Sequence, residues 1–352
     1  MSKIEKLRNG IAGQADGILI TSPYNRRYMT NFTGSAGAVL ISQEKAVFIT
    51  DFRYTEQAEK QAEGYEVITH KGPITKEIAD QCEKLGIKKL GIESDHLVLS
   101  TYKLYEEHIN AALIPLSGTV EKLRLIKSES EISIIKEAAD IADAAFKHIL
   151  DFIKPGKTEI EVSNELEFFM RNAGAVSSSF DIIVASGIRS ALPHGVASNK
   201  VIEKGDFVTL DYGALHKGYA SDMTRTLAVG EPDEKLKEIY QVTLDAQLKA
   251  MDEIKPGLTG KEADAIARDY ISSKGYGEYF GHSLGHGLGM EVHEGPGLSS
   301  RSETKLEPNM VVTVEPGIYL PGIGGVRIED DTVITESGNE TLTHSTKDLI
   351  IL

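Results

Sequence analysis

Residues 153–156 read IKPG, and so do residues 254–257, an offset of 254 − 153 = 101. The likeness extends beyond four letters. IKPGKTEIEVSNELEFFMRNAG (153–174) lies against IKPGLTGKEADAIARDYISSKG (254–275), with Thr158 matching Thr259, Glu161 matching Glu262 and Gly174 matching Gly275. Each copy therefore carries a T-x-x-E capping box that opens a helix and a glycine that stops it. Further on, EKGDFVTLDYG (203–213) lines up with EPNMVVTVEPG (307–317), and SDMTRT with IEDDTV. Both pairs read as β-strand text in which Asp211 corresponds to Glu315 and Asp222 to Glu329. Residues from about 125 to 352 are thus expected to be one unit built twice, each half supplying two carboxylates from strands.

An acid at a strand end is ordinarily a turn former or a surface charge. Four equivalent acids are a different matter, because two halves packed about a pseudo-twofold would bring them to one centre. Four carboxylates there cannot all stay ionised without cations; either protons or metals must be present, and two divalent ions would neutralise four negative charges. FGHSLGHGLGMEVHEGPG (280–297) adds His282, His286 and His293 among closely spaced glycines. Histidine is a common neutral ligand, and glycine lets backbone approach a crowded site. By itself this stretch would read equally well as a flexible loop, since it lacks the H-E-x-x-H spacing.

The rest of the chain sets limits. The first ~120 residues alternate β-rich runs (AVLIS, KAVFITD) with helical stretches (RYTEQAEKQAE, TKEIADQCEKLG), as a small α/β domain does. A long helix then opens at a further capping box, Ser128 with Glu131, and repeats Ile132, Ile135, Ala139, Ala142, Phe146 and Ile149 at helical spacing. Cys82 is the single cysteine, which excludes an internal disulfide and a zinc site of several thiolates. Any metal must be held by oxygen and nitrogen. With 53 acidic and 38 basic side chains the net charge is −15, which argues against nucleic acid and anionic lipid as partners. No apolar run reaches the roughly 18 residues of a membrane span, and MSKIEKLRNGIAGQADG lacks a secretory apolar core, so a cytoplasmic location is expected.

Taken as a set, LDYGALHKGYASDMTRT, GHSLGHGLGMEVHE, TVEPGIY and GVRIEDD resemble the metal-binding motifs of the pita-bread metallopeptidases, in the prolidase and aminopeptidase P branch. YMTNFTGSAGAVLIS and TDFRYTEQA are similar to that branch's creatinase-like first domain, which methionine aminopeptidases lack. The resemblance implies an α/β (α+β) chain with a small creatinase-like α/β domain over 1–122 and a pseudo-twofold pita-bread catalytic domain over 123–352. It implies Asp211, Asp222, His286, Glu315 and Glu329 as ligands of two divalent ions, Asp222 and Glu329 bridging them. Carboxylates and one imidazole suit Mn²⁺ and also admit Co²⁺ or Zn²⁺.

The implied reaction is hydrolysis of the Xaa-Pro bond by water activated between the two ions. Glu315 would move the water's proton, and His293 or a neighbouring histidine such as His194 would stabilise the oxyanion. Residues matching His194 (in LPHG), His282, His293 and Arg327 line the family's substrate site. His194 and His282 could equally be simple turn residues, whereas Arg327 would be costly to bury without an anionic partner. The expected activity is that of an Xaa-Pro dipeptidase (prolidase), with aminopeptidase P, acting on longer Xaa-Pro peptides, as the alternative. A non-catalytic pita-bread binding protein or a creatinase-like amidinohydrolase should have lost the ligand set. A homodimer taking short proline-containing peptides completes the expectation.

Overall fold

The computed structural model describes residues 1–352. The chain divides into two compact units, Met1–Arg124 and Leu125–Leu352. In the first unit a six-stranded mixed sheet runs in the order Glu66–Thr69, Ala46–Thr50, Ala38–Ser42, Gly17–Ile20, Lys89–Glu93, Ala112–Leu116. Its central strands, GILI, AVLIS and AVFIT, are buried on both faces, as unbroken apolar runs of this length require. The helical stretches read from the sequence appear as Thr55–Gln61 and Ile74–Lys84, and Cys82 on the latter lies in the core with its thiol pushed up to about 12 by burial.

The second unit answers the question set by the repeated IKPG. Its first half has helices Glu129–Phe152 and Glu159–Asn172, and its second half has Glu234–Glu253 and Gly260–Ser273. IKPG is the corner between the helices of each pair. In both copies its glycine adopts a left-handed conformation, φ +95° at Gly156 and +93° at Gly257, which a side chain would oppose. Each glycine N–H then meets a distant carbonyl, Gly156 that of Ile202 at 2.9 Å and Gly257 that of Leu306 at 2.8 Å. Thr158 and Thr259 both close the predicted capping boxes. On the helices that follow, Val162, Leu166 and Met170 are buried at the same positions as Ala263, Ala267 and Ile271. The repeat therefore preserves the corner, the cap and the buried stripe, while the volumes on that stripe have diverged.

Each helix pair covers an antiparallel hairpin. Phe207–Tyr212 pairs with Met223–Ala228, Asp211 opposite Thr224, and Val311–Val314 pairs with Asp330–Ile334, Val314 opposite Asp330. A third hairpin, Gly317–Leu320 with Gly324–Arg327, fills the gap between Glu315 and Glu329. Asp211 lies one residue before the end of its strand, and Asp222, Glu315 and Glu329 sit at strand ends, where their own ladders stop. The cause is a change of backbone partner. The Glu315 N–H donates to the Leu284 carbonyl (2.8 Å) and the Glu329 N–H to the Thr224 carbonyl (3.1 Å), outside their own hairpins. The second of these bonds stitches the two halves together. On the long helix, Ile135, Ala139, Ala142, Phe146 and Ile149 are buried, while Ile132 in the first turn is only partly covered.

Candidate metal centre

Asp211, Asp222, His286, Glu315 and Glu329 open together onto one cavity of about 590 Å³. Asp222, its carboxylate 6% exposed, is held by its own N–H, which donates to Asp331 Oδ2 at 2.9 Å. Glu329 Oε2 accepts from the Thr224 hydroxyl at 2.5 Å and Glu315 Oε1 from the Thr313 hydroxyl at 3.2 Å. His286 lies on a short glycine-flanked strand, Gly285–Gly287, where added β-carbons would meet the Thr313 carbonyl at 2.0 Å and the Gly295 carbonyl at 1.9 Å. Those glycines are needed for close packing, which settles the earlier choice between a flexible loop and a crowded site.

Three carboxylate oxygens in the cluster, Asp211 Oδ1, Asp222 Oδ1 and Glu329 Oε1, are buried and make no hydrogen bond. Orphaned buried anionic oxygens are costly unless a cation satisfies them. His286 Nε2 stands 3.6 Å from Asp222 Oδ2 and 3.4 Å from Glu315 Oε1, too far for good hydrogen bonds. Burial, helped by the neighbouring His293, lowers His286 to about 4 and leaves it a neutral donor atom. Burial and then the adjacent acids push Asp222 and Glu329 far above the usual carboxylate range. Glu315 rises to about 8, again chiefly by burial, against the pull of Arg327. Donor atoms of Asp222, His286 and Glu329 all lie within 4.8 Å of one another. The residues fit a divalent cation.

Arg327 is buried and its anionic partner is Asp211, joined through Nη2. Its other donors reach the Thr224 hydroxyl (3.1 Å), the Pro193 carbonyl (3.1 Å) and the Tyr319 hydroxyl (2.7 Å). Tyr319 also meets His282 Nε2 at 2.9 Å, so one phenol joins two of the residues expected at the substrate site. Burial, followed by the charge of Arg327, lowers His282 to about 4. His293 and His194 are exposed at the cavity wall, and the His293 ring centre is 4.2 Å from that of His286.

All nine residues singled out in the sequence line this cavity. Sequence reading missed Tyr319, Thr224, Thr313 and Asp331. Tyr319 closes the motif TVEPGIY and could have been suspected from that place, but nothing in the text distinguishes the two threonines from ordinary strand residues. Also missed were the apolar wall of Phe180, Ile183, Val196 and Val292 and the exposed Asp181 beside it.

The sequence profile described as metallopeptidase family M24 matches residues 133–336, and that of the creatinase/prolidase N-terminal domain matches residues 3–126. The chain is 65% identical over 353 residues to the uncharacterized peptidase YqhT of Bacillus subtilis (strain 168), covering 99% of this chain and 100% of that one. Among solved structures it is similar to an Xaa-Pro dipeptidase from Bacillus anthracis, with TM-score 0.99 and 68% identity over 99% of each chain. An X-Pro aminopeptidase from Thermotoga maritima MSB8 superposes with TM-score 0.93 at 41% identity, covering 100% of both.

Proposed function

This chain belongs to metallopeptidase family M24, carrying a creatinase/prolidase N-terminal domain, and from that premise we propose that it hydrolyses Xaa-Pro peptide bonds, with the Xaa-Pro dipeptide as substrate. Carrying the reading is the convergence of three unpartnered buried carboxylate oxygens with His286 and Glu315 on one cavity. Asp211, Asp222, His286, Glu315 and Glu329 would hold two divalent ions, Mn²⁺ by the preference of hard oxygen donors. Such ions supply charge neutralisation and a water acidic enough to attack near neutral pH.

The chain's own groups do the rest. Glu315, oriented by the Thr313 hydroxyl, takes the attacking water's proton and passes it to the departing proline nitrogen. His293 and His194, both on the cavity wall, can donate to the developing oxyanion. The bond before proline has no N–H for a peptidase to read, so the apolar wall of Phe180, Ile183, Val196 and Val292 selects by accepting the ring. Longer Xaa-Pro peptides are the second reading, favoured by the likeness to an X-Pro aminopeptidase. A homodimer in the cytoplasm, with the domain boundary at 122/123, completes the proposal. No helix is long and apolar enough to cross a membrane.

Protein stripped with a chelator should lose hydrolysis of Ala-Pro and regain it on addition of Mn²⁺, followed by release of free proline. Equal rates with and without metal, or no release in either state, would sink the reading. Tyr319→Phe should cut kcat/KM by about tenfold while lowering stability by only about 1 kcal/mol, the size of one lost hydrogen bond. Unaltered kinetics in that variant would detach the Arg327–Tyr319–His282 bridge from substrate handling.

A further inference from the structure

Glu159 opens the helix Glu159–Asn172, one residue after the Thr158 cap, and its carboxylate is wholly buried although it is not part of the metal centre. Both of its oxygens are filled with donors. Oε1 accepts from the Ser186 N–H (2.7 Å) and hydroxyl (2.9 Å), and Oε2 from the Ser198 N–H (3.0 Å) and hydroxyl (2.6 Å). Arg189 Nε completes the set at 3.0 Å from Oε2. Donors of this number and kind offset the cost of burying an anion. One oxygen thus grips residue 186 and the other residue 198, the two feet of the segment that carries Pro193 and His194.

That segment has little apolar packing to hold it. Ile188, Leu192 and Val196 are 64%, 49% and 50% exposed. Polar bonds take over: Arg189 Nη2 donates to the Val196 carbonyl (2.8 Å), Arg327 Nη1 to the Pro193 carbonyl (3.1 Å), and the Gly325 N–H to the Ser190 hydroxyl (2.9 Å). The His194 ring lines the cavity and makes no hydrogen bond of its own, so its place is set by the backbone that carries it. The duplication supplies a comparison. By the offset that aligns the two IKPG corners, Glu159 corresponds to Gly260, where an added β-carbon would meet the Gly297 carbonyl at 2.1 Å. The second half closes the same helix start with bare backbone, so the fold itself does not call for a charge there.

We propose that Glu159 is a positioning residue for Xaa-Pro hydrolysis: through Ser186, Ser198 and Arg189 it holds the 186–198 segment so that His194 stands where the oxyanion develops. This rests on the Xaa-Pro reading of the site and on the role given there to His194. Glu159 reaches the reaction only through that segment, so its effect on turnover must disappear once His194 is gone. Displacing a catalytic group by about 1 Å costs up to about 10²-fold in rate, and losing one oxyanion donor costs about 10²- to 10³-fold.

The experiment is a double-mutant cycle with Mn²⁺-loaded protein on the better cleaved of Ala-Pro and Ala-Pro-Ala. Natural chain, Glu159→Gln, His194→Ala and the double variant are compared for kcat, KM, bound Mn²⁺ and urea midpoint. The amide keeps the side chain's size but sets an NH₂ group against groups that are themselves donors. Expected are kcat lower by about tenfold in Glu159→Gln with KM and bound Mn²⁺ kept, and lower by about 10²-fold in His194→Ala. Adding Glu159→Gln to His194→Ala should then cost less than about twofold more, whereas a merely structural carboxylate gives losses that multiply. Arg189→Met, on a partly exposed side chain, repeats the cycle with a smaller loss of about threefold and decides the matter where the buried amide does not fold. Losses that multiply, a loss carried by KM or by departed Mn²⁺ alone, or full turnover in His194→Ala or in the variant paired with it overturn the positioning role and leave the Xaa-Pro reading standing. A natural chain that cleaves neither peptide overturns both.

Discussion

Glu315→Gln lowers kcat/KM on Ala-Pro by about 10³-fold or more, the upper part of the range for loss of a positioned general base combined with a weakened ligand set. The amide keeps the size of the carboxylate and its bond from the Thr313 hydroxyl, so the fold survives. A stability measurement separates the two effects. In metal-free protein burial raises Glu315 to about 8, above its unfolded value of 4.5. The folded state then binds more protons than the unfolded state between those values, and stability falls as pH rises through that window. The contribution is fully present below about 4.5 and gone above about 8. Metal-free Glu315→Gln should therefore lose part of that slope in urea titrations at successive pH values, with the variant the more stable at pH 8. A variant that retains full turnover, or a metal-free protein whose stability climbs with pH across the window in both forms, would contradict the role given to Glu315.

Arg225→Ala costs about 3–5 kcal/mol of folding stability, the range for breaking a buried ion pair by removing one partner. Arg225 is almost wholly buried and spans Asp330 Oδ1 (2.7 Å), the carbonyls of Ser345 (2.7 Å), Thr346 (3.0 Å) and Thr224 (2.9 Å), and the carbonyl of Glu329. It thus ties the chain's last segment to the seam where the two halves meet. Asp330 keeps Lys347 (2.6 Å), Gln247 (2.9 Å) and Thr343 (2.9 Å) when Arg225 is removed, which is why the loss stays within that range. Arg225→Lys should recover little, because a single ammonium cannot reach so many acceptors in one plane. The check is the urea midpoint at constant m-value. A loss under about 1 kcal/mol would show that solvent or rearrangement compensates, and that the network is not a determinant of stability.

The duplicated architecture was legible because its signals are local. A capping box, a proline followed by a left-handed glycine, and a buried stripe each act within a few residues, so Thr158–Glu161 and Thr259–Glu262 read the same way in sequence and in space. The four acids were legible for a related reason: duplication places equivalent residues at equivalent sites, and a lone Asp211 carries no such information. Ile132 shares that helical spacing and is only partly covered, since spacing cannot tell a first turn at the edge of the packing from turns beneath it.

Legible before folding is the inventory: two similar halves, paired carboxylates, one cysteine, and a glycine-rich histidine segment. Folding settles which oxygens are left without partners, that Arg327 answers Asp211, and that Tyr319 joins Arg327 to His282. Several of those facts depend on hydrogen bonds between residues far apart in the chain, such as Thr224 with Glu329. Periodicity records which face of an element is apolar, but it holds no record of which distant polar group that face will meet. Pairing is settled when buried groups compete for a limited set of partners, and that competition exists only in the folded chain.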